Sequence, residues 1–103
     1  MRKKVIYISG PIEGVPQYYK AFEQMEEDIF ALDYIPLSPS RLPEEMTNGQ
    51  YMRICFAMIE AADGVIFLPG WQNSVISRLE REYCLCSNKP IFKDLAYMVE
   101  VMR

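Results

Sequence analysis

The chain has 103 residues, half of them hydrophobic and 24% charged, with a formal net charge of −3; that is enough for one core and too little for two. The acidic balance and the absence of a Lys/Arg run exclude a duplex nucleic-acid binder and leave a single nucleotide open, because a few local donors suffice for that. No apolar run approaches the ~18 residues that span a bilayer, and MRKK followed by only VIYI is too short for a signal peptide, so a cytoplasmic protein without a membrane partner is expected.

Val5 to Ile8 is an unbroken β-branched and aromatic run, the pattern of a strand buried on both faces in a parallel sheet. The SGPIEG that follows predicts a tight loop, and Pro16 suits an early position in a helix over Pro16 to Leu32. That helix sets Tyr18, Phe22, Met25 and Ile29 on one face and turns Glu23, Glu26, Glu27 and Asp28 to water. Tyr34 to Leu37 reads as a short strand, which Pro36 confines to a sheet edge or a strand end. Ser38 to Gly49, SPSRLPEEMTNG, has no period and is either a binding loop or a mobile connector. Tyr51, Met52, Cys55, Met58, Ile59 and Ala62 then recur at helical spacing ahead of a strand over Gly64 to Leu68, with Asp63 ordering the turn between them.

Beyond that strand stand a Pro69-Gly70 turn, Trp71, and Ser74 in a position to cap a helix running to Ser87. Wound at about 100° per residue, this helix gathers Val75, Ile76, Leu79, Tyr83, Cys84 and Cys86 into one arc that includes Glu80, with Arg78, Arg81 and Leu85 opposite and Glu82 at the border. Asn88-Lys89-Pro90 ends it before a short strand over Ile91 to Lys93, and Asp94 caps a last helix over Leu95 to Met102 that turns Leu95, Met98 and Val99 inward. Strands alternating with helices predict a single α/β domain over residues 1–103: a three-layer, flavodoxin- or Rossmann-like doubly wound parallel sheet of about four strands, in the order 2-1-3-4. Three cysteines, with Cys84 and Cys86 on nearly opposite helix faces, make no disulfide framework, and without His no zinc spacing is present; reduced thiols and no metal are expected.

A carboxylate in an apolar arc is either paired with an Arg at the sheet rim or held where carboxylates do chemistry, since buried charge must be paired, hydrogen-bonded or neutralised. Ligands of open parallel sheets bind at the carboxyl ends of the strands where the order reverses, and SGPIEG and PGWQNS converge there. Glycine-loop N–H groups at a helix start suit an anion, although SGPIEG reads equally as a tight turn, lacks a P-loop lysine, and carries Glu13. Tyr7 either packs in its strand or presents its phenol to a ligand. Trp71 either stacks on a base or plugs the sheet edge, and Ser74 is a helix cap, a ligand contact or both.

VIYISGPIEG, then YMRICFAMIEAADGVIFLPGW, then the S-x-x-x-x-x-E of SVISRLE, in that order over residues 4 to 90, resemble the nucleoside 2-deoxyribosyltransferase superfamily, in particular its small bacterial and phage branch. The resemblance implies an enzyme in which Glu80 attacks the anomeric carbon of a 2-deoxynucleoside or its 5′-phosphate, forms a covalent glycosyl-enzyme, and passes the sugar to water or a second base with retention. By position it makes Tyr7 the group that orients Glu80, and lets Ser9, Gly10, Pro11 and Gly14 line the sugar or phosphate pocket. Ser74 stands where the nucleotide hydrolases carry a phosphate-holding Ser, which leans toward a 5′-nucleotide. No cofactor is implied, and a homodimer or higher homo-oligomer is.

Two positions depart from the pattern. Cys55 replaces an Asp that assists the leaving base, and a thiol in an apolar stripe is a poor proton donor at neutral pH. Ile76 replaces a Gly at the start of the Glu80 helix, where a branched side chain could occupy space the sugar needs. The alternative to an enzyme is therefore a catalytically degenerate nucleotide-binding or protein-interaction domain of the same fold.

Overall fold

The computed structural model describes residues 2–103. The elements are β1 (Val5–Ser9), α1 (Tyr18–Ala31), β2 (Ile35–Leu37), α2 (Asn48–Ala61), β3 (Gly64–Phe67), a single 3-10 turn (Trp71–Asn73), α3 (Val75–Cys86), β4 (Ile91–Phe92) and α4 (Leu95–Met102). All four strands are parallel, in the order β2-β1-β3-β4 expected from the sequence. Tyr7 lies opposite Leu37 of β2 on one side and Val65 of β3 on the other, and Ser9 lies opposite Phe67. β2, with Pro36 inside it, is an edge strand, where proline's missing donor does no harm.

The period of two in β1 divides the core. Ile6 and Ile8 join Ile66, Phe92, Phe22 and Ile29 of α1 and Met98 of α4 in one cluster. Tyr7 joins Val65, Phe67, Cys55 and Ile59 of α2 and Cys84 of α3 in another. Every β1 residue from Ile6 to Ser9 is buried, which accounts for the unbroken apolar run. Each such aliphatic or aromatic side chain stabilises the fold by about 1.5–3 kcal/mol. Gly64 of β3 lies under the Phe92 ring so closely that a Cβ there would collide with it.

Two helix starts and the rotation of one helix differ from the expectation, beyond shifts of one residue at other ends. α1 begins at Tyr18 rather than Pro16, because Gln17 adopts a left-handed conformation at φ 55° that no helix can run through. The loop after β2 stops at Thr47, whose Oγ1 accepts from Gln50 N at 3.1 Å while Gln50 Oε1 accepts from Thr47 N at 3.0 Å; this reciprocal cap takes Asn48 and Gly49 into α2. In α3 the buried line is Ser77, Glu80 and Cys84, flanked by half-buried Ile76 and Tyr83, whereas Val75 is 62% and Leu79 44% exposed and Cys86 faces out. Glu80 thus stands at the centre of the inward face.

Asp63 closes the turn before β3 as expected. Its carboxylate accepts from Val5 N at 2.8 Å and from Arg2 at 2.7 and 3.0 Å. Arg2 and the Val5 amide together hold its pKa down at about 2, against an ordinary 3.8. Asp63→Ala is expected to lower stability by about 1–2 kcal/mol in denaturant titrations at neutral pH. A depressed folded pKa contributes stability above the unfolded value and loses it below, so the gap between the two proteins should narrow as pH falls from 3.8 toward about 2.

Candidate active site

Residues two apart in a strand share a face, so Tyr7 and Ser9 of β1 both point toward α3. There they meet Glu80. The Tyr7 hydroxyl donates to Oε2 at 2.7 Å and the Ser9 hydroxyl to Oε1 at 2.7 Å. Ser77 Oγ, one turn back on α3, lies 3.1 Å from Ser9 Oγ; since the single Ser9 proton is directed at Glu80, Ser77 is the donor in that contact. Glu80 is 2% exposed, and among the described residues no Lys or Arg lies within ion-pair distance of it. The Arg-paired reading of this carboxylate is therefore not what the fold contains.

Burial raises the Glu80 pKa above its ordinary 4.5, and the Ser9 and Tyr7 hydroxyls oppose that rise by favouring the anion. Burial, followed by the Glu80 charge, raises Tyr7 well above its usual range, so it remains a donor. Burial pushes the Cys55 thiol up to about 11, where it is neutral at physiological pH.

Glu80 forms part of the wall of a cavity of about 290 Å³, together with Gly10, Pro11, Glu13, Ser74, Ile76 and Tyr51. Gly10 is required where the two loops meet: a Cβ there would lie 2.7 Å from Leu68 Cδ1, and Leu68 N donates to Ser9 O at 2.8 Å. That close approach brings the segments after β1 and β3 to one mouth, at the point where the strand order reverses. The cavity continues into an outer one of about 510 Å³, with Ile12, Glu13, Val15, Pro39, Tyr51 and Ile76 bordering both. The pair forms one cleft with Glu80 at its inner end.

Tyr7 and Ser9 contact Glu80, and Gly10 and Pro11 line the inner cavity. Gly14, at φ 76°, lines the outer one. Ser74 does two things: its Oγ accepts from Ser77 N at 3.2 Å as the α3 cap, and it borders the inner cavity. Trp71 lines neither. It packs edge-on against Phe67 at 5.4 Å with the Arg81 guanidinium 5.3 Å above its ring, on the outer side of α3 beside Val75 and Leu79. The left-handed Gly70, at φ 89°, precedes it, and its ring contacts Phe67 and Arg81 and not the cleft.

Ile76 borders both cavities. Cys55 is fully buried and borders neither cavity; its thiol lies against Tyr7, Tyr51 and Glu80. Tyr51 is the wall residue that periodicity hid. It continues the apolar stripe of α2, yet it lies in the first turn, and the first turns of helices that follow parallel strands open at the ligand end of the sheet. The loop before α2 forms the outer wall through Pro39, Leu42, Glu44 and Met46, tied down where the Tyr18 hydroxyl donates to Glu44 Oε1 at 3.3 Å. Among the described residues no group of three or more Cys, Asp or Glu side chains is placed to hold a metal ion, and no helix is long and apolar enough to cross a membrane.

No curated protein matches the chain. The family described as Domain of unknown function (DUF4406) matches residues 4–93, which include all four strands and every residue bordering the inner cavity. By that match the chain belongs to the DUF4406 family.

Proposed function

We propose that the protein cleaves the N-glycosidic bond of 2-deoxynucleosides or their 5′-monophosphates, with Glu80 as the nucleophile, and passes the sugar to water or to a second base. The observation that carries this reading is the state of Glu80: a buried carboxylate with no cation beside it, each oxygen positioned by a neutral hydroxyl, at the inner end of a cleft of ligand size. A salt bridge would hold the carboxylate's charge in place; hydroxyl donors orient it and leave the charge available to an oxocarbenium-like centre.

In that reaction one Glu80 oxygen bonds to C1′ as the C1′–N bond breaks and its electron pair leaves with the base. Water or a second base then bonds to C1′ from the face the first base left, and the bond to Glu80 breaks with its electron pair returning to the carboxylate. Tyr7 touches the carboxylate and not the cavity, so it is a positioning residue. The inner cavity, with Gly10 and Ser74, would take the sugar and the outer one the base. The same resemblance implies a homo-oligomer, which light scattering would measure.

Incubation with a panel of deoxynucleosides and their 5′-monophosphates, followed by chromatography, should show free base released. No release from any member, or traces identical to those of Glu80→Ala, would overturn the proposal. A second reading, ligand binding without turnover, is favoured by the buried neutral thiol of Cys55 where the resembled family has an acid for the leaving base; it predicts ligand-induced thermal stabilisation with no base released.

A further inference from the structure

We propose that the preferred substrate of this cleft is a nucleoside whose base carries a fixed positive charge, such as an N7-alkylated purine nucleoside, in preference to a neutral nucleoside or a 5′-nucleotide. The inference rests on the glycosidic reading of Glu80 and specifies its substrate.

The charged side chains bordering the cleft are all acidic. Glu80 stands at its inner end, Glu13 borders both cavities and Glu44 lies in the outer one, while among the described residues no Lys or Arg borders either. Such a lining concentrates cations and repels phosphate, and its apolar walls at Ile12, Pro39 and Ile76 strengthen the effect by excluding water. Two features of the inner cavity favour an anion, the α3 start, whose cap position is already filled by the Ser74 hydroxyl, and the loop after β1, which carries the Glu13 carboxylate into both cavities. Tyr18 and Tyr51 add phenol rings to the wall of the outer cavity, where a cationic heterocycle gains from an aromatic face.

The leaving group points the same way. A neutral purine departs from C1′ as an anion unless it is protonated during bond breaking. The cleft offers it little to protonate it with: the Cys55 thiol, with a pKa of about 11, contacts Glu80 and Tyr51 from behind the wall and does not border the cavity, and burial has raised the Tyr51 phenol above its ordinary range. An N7-alkylated purine needs no acid. As the Glu80 oxygen bonds to C1′, the C1′–N9 electron pair returns to the ring, cancels its positive charge, and the base leaves neutral. Water then bonds to C1′ while the bond to Glu80 breaks and returns its pair to the carboxylate; the proton lost by that water goes to solvent. The sum is one water consumed and one proton released per turnover.

The test compares 7-methyl-2′-deoxyguanosine with 2′-deoxyguanosine and 2′-deoxyguanosine 5′-monophosphate, with release in the presence of Glu80→Gln protein subtracted as background. The methylated nucleoside is expected to show the highest kcat/KM, with a KM that rises with ionic strength. Glu13→Gln combined with Glu44→Gln is expected to lower the ratio of its kcat/KM to that of the neutral nucleoside by about fivefold. Glu80-dependent release that is equal for the three, or fastest for the monophosphate, or a ratio the double substitution does not move, overturns this proposal and leaves the glycosidic reading standing. No Glu80-dependent release from any of them overturns both.

Discussion

Glu80→Gln is expected to reduce base release by about 10⁴-fold or more, the usual consequence of removing a covalent nucleophile, and to leave the protein as stable as the parent or more so near neutral pH. The amide matches the carboxylate in shape. Its oxygen can still accept from Tyr7 or Ser9, and its nitrogen can donate to the other hydroxyl. What it removes is the burial of a charge without a counter-charge. The sign follows from the raised pKa: the folded protein favours protonated Glu80 more than the unfolded chain does, so the stability Glu80 contributes is complete below 4.5 and is lost as pH rises through the folded value. Thermal melts of the two proteins should therefore converge below pH 4.5 and separate above it, with the Gln protein the more stable. A Gln protein markedly less stable than the parent at neutral pH would mark Glu80 as a structural group and sink the nucleophile assignment.

The rotation of α3 differs from the one its apolar residues predict, although the inward face keeps Glu80. Hydrophobic periodicity counts Val75 and Leu79 as inward residues, and both face solvent. The rotation of α3 follows instead from a polar line, Ser77 and Glu80, that bonds to Ser9 and Tyr7 across the interface, with the small Cys84 one turn further on. Hydrophobic periodicity gives such bonds no weight and so favours the exposed apolar ridge. Glu80 lies on the inward side under either rotation, because the arc is wide enough to include it.

Elements governed by local chemistry were legible: the buried run of β1, the edge proline of β2, the Ser74 and Asp94 caps and the parallel order. Thr47-x-x-Gln50 was equally local and carries the capping-box pattern, so the start of α2 was readable from it. The outer wall was not. The loop before α2 is held by contacts such as Tyr18 to Glu44, which no pattern within the loop encodes, and the distance of Cys55 from the cleft depends on how α2 lies behind Tyr7. Ile76 illustrates the same limit, since its place on the border of both cavities depends on how the start of α3 meets the loops around it.

Tyr7→Phe separates a positioning role from a packing one. The substitution keeps the ring in its cluster with Val65 and Cys55 and deletes only the hydroxyl that donates to Glu80 Oε2. A buried carboxylate that loses one of its two hydroxyl donors costs about 1–3 kcal/mol of stability, and the loss should be largest at high pH, where Glu80 is ionised, and smaller at low pH, where the protonated acid needs the donor less. Because the Tyr7 hydroxyl holds the Glu80 pKa down, removing it moves that pKa further up. The nucleophile must be ionised to react, so the acid limb of the kcat/KM profile should shift to higher pH, with a fall in kcat on the order of 10–100-fold above the limb from the loosened carboxylate. A phenol that only filled space would leave the limb where it was and change the melting temperature alone; a shift of the limb in the stated direction is the result a packing role cannot produce.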